Sequence, residues 1–444
     1  MVGYVRRYLR TFAGFSRDAR LFLLTTIVFG AAQSLFWIDF NLYLESIGLD
    51  KPTIGTLLAA QQLAGVAVAF PASALSNRLG RRRVMAIGMS LAAMALVLFL
   101  PGQLPLIVVG TLAMGAGGMI VGVVQVPFIA EHTLPEQRNE YFSVWSAIGF
   151  LTGLVAALIG GGVAPLIAGS LNLHAASAPY QVLLTGVAIL GVLALLTVGM
   201  LTSDAPTRDN PRKVGGGRFG IVIHDRSLFV RLLLPGFLTS LGAGQLIPFL
   251  NMFVETKFGL NLSAINAVFA VTSLGTAMAI MIQPAVARRF GRIGSIVLVQ
   301  GLSIPFLAVM GFSPILWTVI LSLTVRNSLM NAGGPIFDAF AMDRITYEER
   351  ATLAAAMTLL WALGWTIAPF YYGQLQARLG FTAGYAVDFV TIIILYSLAT
   401  SLLWFWFHGT ESDREPVVDE AAAEVPPGGL ATLPEPTAPL TDQA

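Results

Sequence analysis

The 444-residue chain is 56% apolar and only 11% charged, where soluble globular domains run about 45–50% and about 25%. So little charge cannot cover a water-facing surface, which excludes a soluble enzyme and leaves a chain that crosses a bilayer repeatedly. The net charge of +2 hides a basic body and an acidic end, and the lack of cysteine excludes disulfides, thiolate metal sites and cysteine nucleophiles.

Residues 1–20 carry Arg6, Arg7, Arg10, Arg17 and Arg20 ahead of a long apolar run. More such runs follow instead of a soluble domain, so the first reads as a retained helix and not a cleaved leader. The runs fall at 21–45, 53–75, 84–101, 104–130, 141–168, 178–201, 228–254, 262–286, 294–311, 315–342, 351–377 and 382–408. They are segments 1 to 12 below. Each can span the hydrocarbon as a helix, and none alternates as the ten-residue strands of a barrel do. The expectation is an all-α membrane protein with twelve transmembrane helices. Six lie in 21–201 and six in 228–408, joined by a polar linker over 202–227 and followed by a disordered acidic, Pro-rich tail over 409–444.

Sidedness follows from lysine and arginine. With the N-terminus inside, cytoplasmic stretches hold 22 of the 26, and the outside keeps only Lys51, Lys257 and Arg378. The positive-inside rule then puts both termini in the cytoplasm, in a cell membrane.

The halves repeat. NLYLESIGLDKPTIG (41–55) matches NMFVETKFGLNLSAIN (251–266), pairing Asn41 with Asn251 and Glu45 with Glu255. NRLGR (77–81) matches RRFGR (288–292), and Glu131 and Arg138 match Asp343 and Arg350. Parallel six-helix repeats build secondary transporters, with the solute site near the midplane between them.

These residues resemble the major facilitator superfamily over about residues 15–408. The family signature after segment 2 runs Gly-x-Leu-x-Asp-Arg-x-Gly-Arg-Arg/Lys, and the chain reads SALSNRLGRRR. Leu75, Arg78, Gly80, Arg81 and Arg82 fit; Ser73 replaces Gly and Asn77 replaces Asp, so the charge of the family's latch is missing there. The resemblance implies a cytoplasmic gate of Asn77, Arg78, Gly80, Arg81 and Arg82 with Glu131 and Arg138. Its echo is Arg289, Gly291 and Arg292 with Asp343 and Arg350. It also implies a two-lobed secondary transporter working by alternating access, without a cofactor, as a monomer. Segments 1, 4, 7 and 10 would line the central cavity. Export of an amphiphilic or drug-like compound, coupled to protons, is the leading expectation. Uptake or exchange of an anionic metabolite is the alternative, and a transporter-like receptor a third. The family's Gly-Pro exporter motif is incomplete: Gly149 and Gly153 keep its spacing, but Leu154 replaces the proline.

Within the segments, ionisable residues are costly and usually face a cavity or a partner. Arg326 lies about 17 Å into segment 10, near the midplane. Asn327, Asn331 and Asp338 form a polar stripe on the same segment. Asp39 in segment 1 can pair with Arg326, carry a proton or snorkel outward. Trp37, Gln125, Gln245 and Asn251 are further solute or coupling candidates on the other lining segments. Asp388 falls on segment 12, which the family keeps peripheral.

Other chemistries find no support. GGGRFG (215–220) follows a basic loop and not a strand, so it is no dinucleotide site. His132, His174, His224 and His408 have no metal-ligand spacing. The bases follow membrane sidedness, without a separate nucleic-acid patch. The expected partners are a small solute, protons and the lipid bilayer.

Overall fold

The computed structural model describes residues 15–133, 138–173, 175, 177–202, 223–290, 292–332 and 334–409. The first fourteen residues, most of the expected linker (203–222) and the expected tail beyond 409 lie outside the described residues.

What is described is helical. The first half holds α1 (Arg17–Ser46), α2 (Lys51–Leu79), α3 (Arg81–Phe99), α4 (Leu104–His132), α5 (Arg138–Ser170) and α6 (Ala178–Gly199). In the second half α7 runs over Arg226–Leu246 and, through a 3-10 turn at Ile247–Phe249, over Leu250–Phe258. Next come α8 (Leu262–Phe290), α9 (Arg292–Phe312) and α10, in two pieces at Leu316–Ala332 and Gly334–Asp343. The run Tyr347–Phe407 breaks at Gly380, whose φ of 70° only glycine adopts easily, into α11 (347–379) and α12 (381–407). Each element falls on one of the twelve apolar runs. Among the described residues nine helices are long and apolar enough to cross a membrane, and one of them, Thr352–Phe407, holds the last two runs.

Polar residues between the runs set the helix starts. Ser16 accepts from the Ala19 N–H, Asp50 from Thr53, and Asp225 from Ser227 and Leu228. Each satisfies a backbone donor that the first helical turn leaves open. Thr346 and Glu349 form a capping box at the start of α11. Burial pushes the Glu349 carboxyl up, but hydrogen bonds from the His224 N–H and from Thr346 more than offset it and hold it below the usual carboxylate range.

The cores show how the halves meet. At the base-rich end each half has its own: Phe22, Met85, Phe128 and Tyr141 in the first, Phe229, Ile296, Phe340 and Leu353 in the second. At the base-poor end one core spans both, joining Phe36, Phe40, Tyr43 and Phe99 to Phe249, Phe253, Tyr372 and Phe389. There α1 meets α7, α2 meets α11 and α5 meets α8. Small residues let the backbones close. A Cβ on Gly55 would strike the Pro369 carbonyl oxygen, and one on Gly373 would lie 2.7 Å from that of Lys51. Asn266 donates to Asp39 at 3.0 Å, Tyr180 to Glu255 at 3.3 Å, and Ser263 to the Gly161 carbonyl. Each of these hydrogen bonds joins the halves at this end.

Candidate functional site

A cavity of about 210 Å³ lies inside the second half, walled by α7, α9, α10, α11 and α12. Most of its lining is apolar, including Leu232, Phe237, Met330, Phe337 and Trp361. Its polar wall comes from Thr239, Gln300, Arg326, Asn331, Asp338 and Tyr396. A larger groove of about 720 Å³ between α1, α5 and α6 is lined by apolar residues and Thr152, so it offers no comparable chemistry.

Arg326 is the unusual member. Its side chain is 2% exposed, at mid-length of α10. Nη1 donates to Asn327 Oδ1 at 2.8 Å and Nη2 to the Tyr396 hydroxyl at 2.6 Å, while Nε has no partner among the described residues. The guanidinium also sits 5.5 Å from the Tyr396 ring centroid. No carboxylate among the described residues pairs with it. A buried guanidinium in the bilayer costs about 2.5–3.5 kcal/mol even on the lenient insertion scale. Two neutral hydrogen bonds offset part of that and leave a positive charge facing a cavity. Tyr396 reaches it because Gly242 makes room: a Cβ there would sit 2.6 Å from the tyrosine ring.

The other candidates disperse. Asn331 lines the cavity and donates to the Asn327 carbonyl, and Asp338 lines it with no hydrogen-bond partner among the described residues. Asp39 does not meet Arg326; it is buried between the halves against Asn266 on α8, and its second oxygen has no partner among the described residues. Its place in the outer third of α1 points it at the seam and not at mid-depth of α10. Asn251 belongs to that seam too, bonded to Asn41. Gln245 is buried with its Oε1 unpaired, outside the cavity lining. Gln125 is half-buried on α4, and Trp37 is exposed beside a small pocket with Gln61 and Pro248. Asp388 is fully buried on α12, with neither oxygen paired among the described residues. Sequence reasoning missed Tyr396, because α12 was expected at the periphery, and it missed Gln300 and Asn266, single neutral polar residues in segments 9 and 8 that no charge or motif marks.

Of the gate residues, Arg81 donates through Nε and Nη2 to Glu131 at 3.1 Å, and Arg292 pairs with Asp343, its repeat equivalent. Arg82 donates to the carbonyls of Val198 and Gly199, closing the end of α6. Arg78 is exposed. Gly291 and the side chains of Asn77, Arg138, Arg289 and Arg350 lie outside the described residues. Gly80 turns the chain from α2 to α3 at φ 88°, ψ 154°, a region open essentially to glycine alone. Gly80→Ala should therefore cost about 1–3 kcal/mol. The thermal midpoint of purified protein checks this, and an unchanged midpoint would show that the turn tolerates a side chain.

Two repeated six-helix halves that share a core at one end, with a charged cavity inside the second half, are the architecture of a membrane transporter. The profile of the Major Facilitator Superfamily matches residues 22–369, and the chain belongs to that family. No curated protein sequence matches it. Solved structures share its fold at low identity. A variant of the nucleoside transporter NupG superposes with a TM-score of 0.72 at 11% identity, covering 87% of this chain and 100% of that one. A bacterial homolog of the human lysosomal transporter Spinster, inward-facing and unoccupied, gives 0.69 at 15% identity over 88% and 97%. A D-xylose–proton symporter gives 0.68 at 14% identity over 87% and 96%.

Proposed function

We propose that the protein is a secondary transporter that moves an amphiphilic organic anion across the cell membrane by alternating access. Arg326 carries this reading. It is a buried guanidinium that pairs with no carboxylate among the described residues, in a cavity whose wall is mostly apolar and carries one acid, Asp338. An anionic group on the solute supplies the missing charge, and an apolar body matches Leu232, Phe237, Met330 and Trp361. This solute joins the amphiphile expected from the family resemblance to the anion expected from Arg326. Export is the direction drawn from SALSNRLGRRR, and protons are the coupling ion drawn from Asp39, an acid buried between the halves. One chain supplies both halves of the pathway, so a monomer suffices.

Thermal shift tests the substrate class. A ligand that binds only the folded state, present at a hundred times its Kd, stabilises by about 2.7 kcal/mol. Aryl and long-chain carboxylates or sulfonates should raise the midpoint of the wild type and leave Arg326→Gln unmoved. Stabilisation by cationic amphiphiles alone would overturn the reading.

The orientation rests on the 22-to-3 distribution of bases and is tested by labelling. With no native cysteine, Ser170→Cys should react with an impermeant maleimide from outside the cell and Ser203→Cys only from inside. The reverse pattern would invert the topology.

A further inference from the structure

One link between the halves at the base-poor end is a pair of asparagines that the repeat makes equivalent. Asn41 on α1 donates to Asn251 Oδ1 at 2.8 Å, and Asn251 on α7 donates back to Asn41 Oδ1 at 2.5 Å. Each also donates to a backbone carbonyl of the opposite helix, Asn41 to Pro248 and Asn251 to Ile38. Each Oδ1 accepts a further bond, from the N–H of the residue that follows it, Leu42 or Met252, at 2.9 Å. A primary amide has two donors and an oxygen with two lone pairs. Both side chains therefore have every donor and acceptor in use, at 3% and 2% exposure. The arrangement is unchanged when the halves are exchanged, which places the pair on the two-fold axis relating the repeats.

We propose that Asn41 and Asn251 form the outer latch of the transport cycle, an uncharged amide clasp that must part before solute can pass to the outside. The proposal rests on the alternating-access reading and adds the residues that set its balance. A general packing role would need no such complementarity. Here two side chains meet with all their hydrogen bonds satisfied in a water-poor seam, and separating the halves takes the pair apart all at once. Replacing either partner leaves buried polar groups of the other unpaired, the costly case for hydrogen bonds. The closed seam then loses its advantage, whereas an open seam lets water satisfy the same groups. The Asn41–Asn251 contact itself contains no titratable group; the acids that face the same seam are Asp39, Glu255 and Glu45, so any change of the wild-type seam with pH belongs to them.

Pulsed electron resonance on the full chain tests this without a substrate, so its failure is distinct from failure of the solute assignment. Spin labels at Ser46→Cys and Thr256→Cys, equivalent positions beyond the latch, report the width of the seam. At neutral pH the otherwise wild-type chain should give one short distance, and its distance at each other pH is the reference for the variants measured there. Asn41→Ala and Asn251→Ala should each raise the proportion of a longer distance at least about tenfold, and the double substitution should add little to either alone, as expected for one coupled contact. Asn41→Asp keeps the shape and puts a carboxylate against the carbonyl of Pro248. It should widen the seam at high pH and recover at low pH, when the acid regains a donor. Folded variants that all keep the wild-type distance would overturn the proposal, and so would alanine effects that simply add.

Discussion

Arg326→Gln is expected to lower affinity for organic anions by at least about 30-fold while leaving the protein as stable as the wild type or more so. Truncating one partner of a buried charge pair costs about 2–5 kcal/mol of binding. Stability should respond in the opposite sense, because Arg326 has hydrogen bonds to Asn327 and Tyr396 but no acid partner among the described residues. Removing it strands no buried carboxylate and relieves an uncompensated charge. A structural clamp would behave the other way, losing stability and keeping anion binding. Arg326→Lys retains charge but loses the planar fork. It should bind more weakly than wild type and more strongly than Gln. Binding titrations and melting midpoints on the same purified variants decide between these outcomes.

The second large effect is expected at Gly55. An added Cβ would collide with the Pro369 carbonyl oxygen across the seam, and a backbone atom cannot rotate away as a side-chain tip can. Overpacking of this kind costs about 1–3 kcal/mol. In Gly55→Ala that cost falls on the closed seam alone, so the open-to-closed ratio should rise roughly 5- to 150-fold. Gln61→Cys, buried beside the seam in α2, should then become reactive to an impermeant reagent from outside. Gly162→Ala is the control, because nothing lies within 4 Å of a Cβ at that position. Equal labelling in both backgrounds would show that the α2–α11 crossing does not bear on the seam.

The helices were legible because their cause is local. Twenty apolar residues bounded by Gly, Pro or charge can do little else in a bilayer, and the element ends fall within a few residues of the expected runs. Arg326 was legible for the same reason, since one cation in a long apolar run stands out without knowledge of its neighbours. Its surroundings were not. Tyr396 is one of ten tyrosines, and only the packing of α12 on α10 brings it to the guanidinium. Of the readings open for Asp39, pairing with Arg326 fails, because helix depth and the approach of α8 give it Asn266. Asn41 and Asn251 were visible as a repeat, but the alignment carries no sign that equivalent residues would touch each other. Gly55 illustrates the same limit, because its function depends on a carbonyl more than 300 residues away.

The single-residue turn at Gly380 leaves α11 and α12 almost no slack, and the Tyr372 and Tyr385 hydroxyls, 2.5 Å apart, bolt the two arms together. One arm carries Pro369 and Gly373, which bear on α2 across the seam; the other carries Tyr396, which holds the guanidinium. A wall of the cavity and a face of the seam are therefore one stiff piece. Any anion that draws the guanidinium off Tyr396 acts on the piece that presses against the first half. Thermodynamic reciprocity then applies: the factor by which opening the seam changes anion affinity is the factor by which the anion changes the opening. A one-residue hairpin turn makes occupancy and gating a single measurable number.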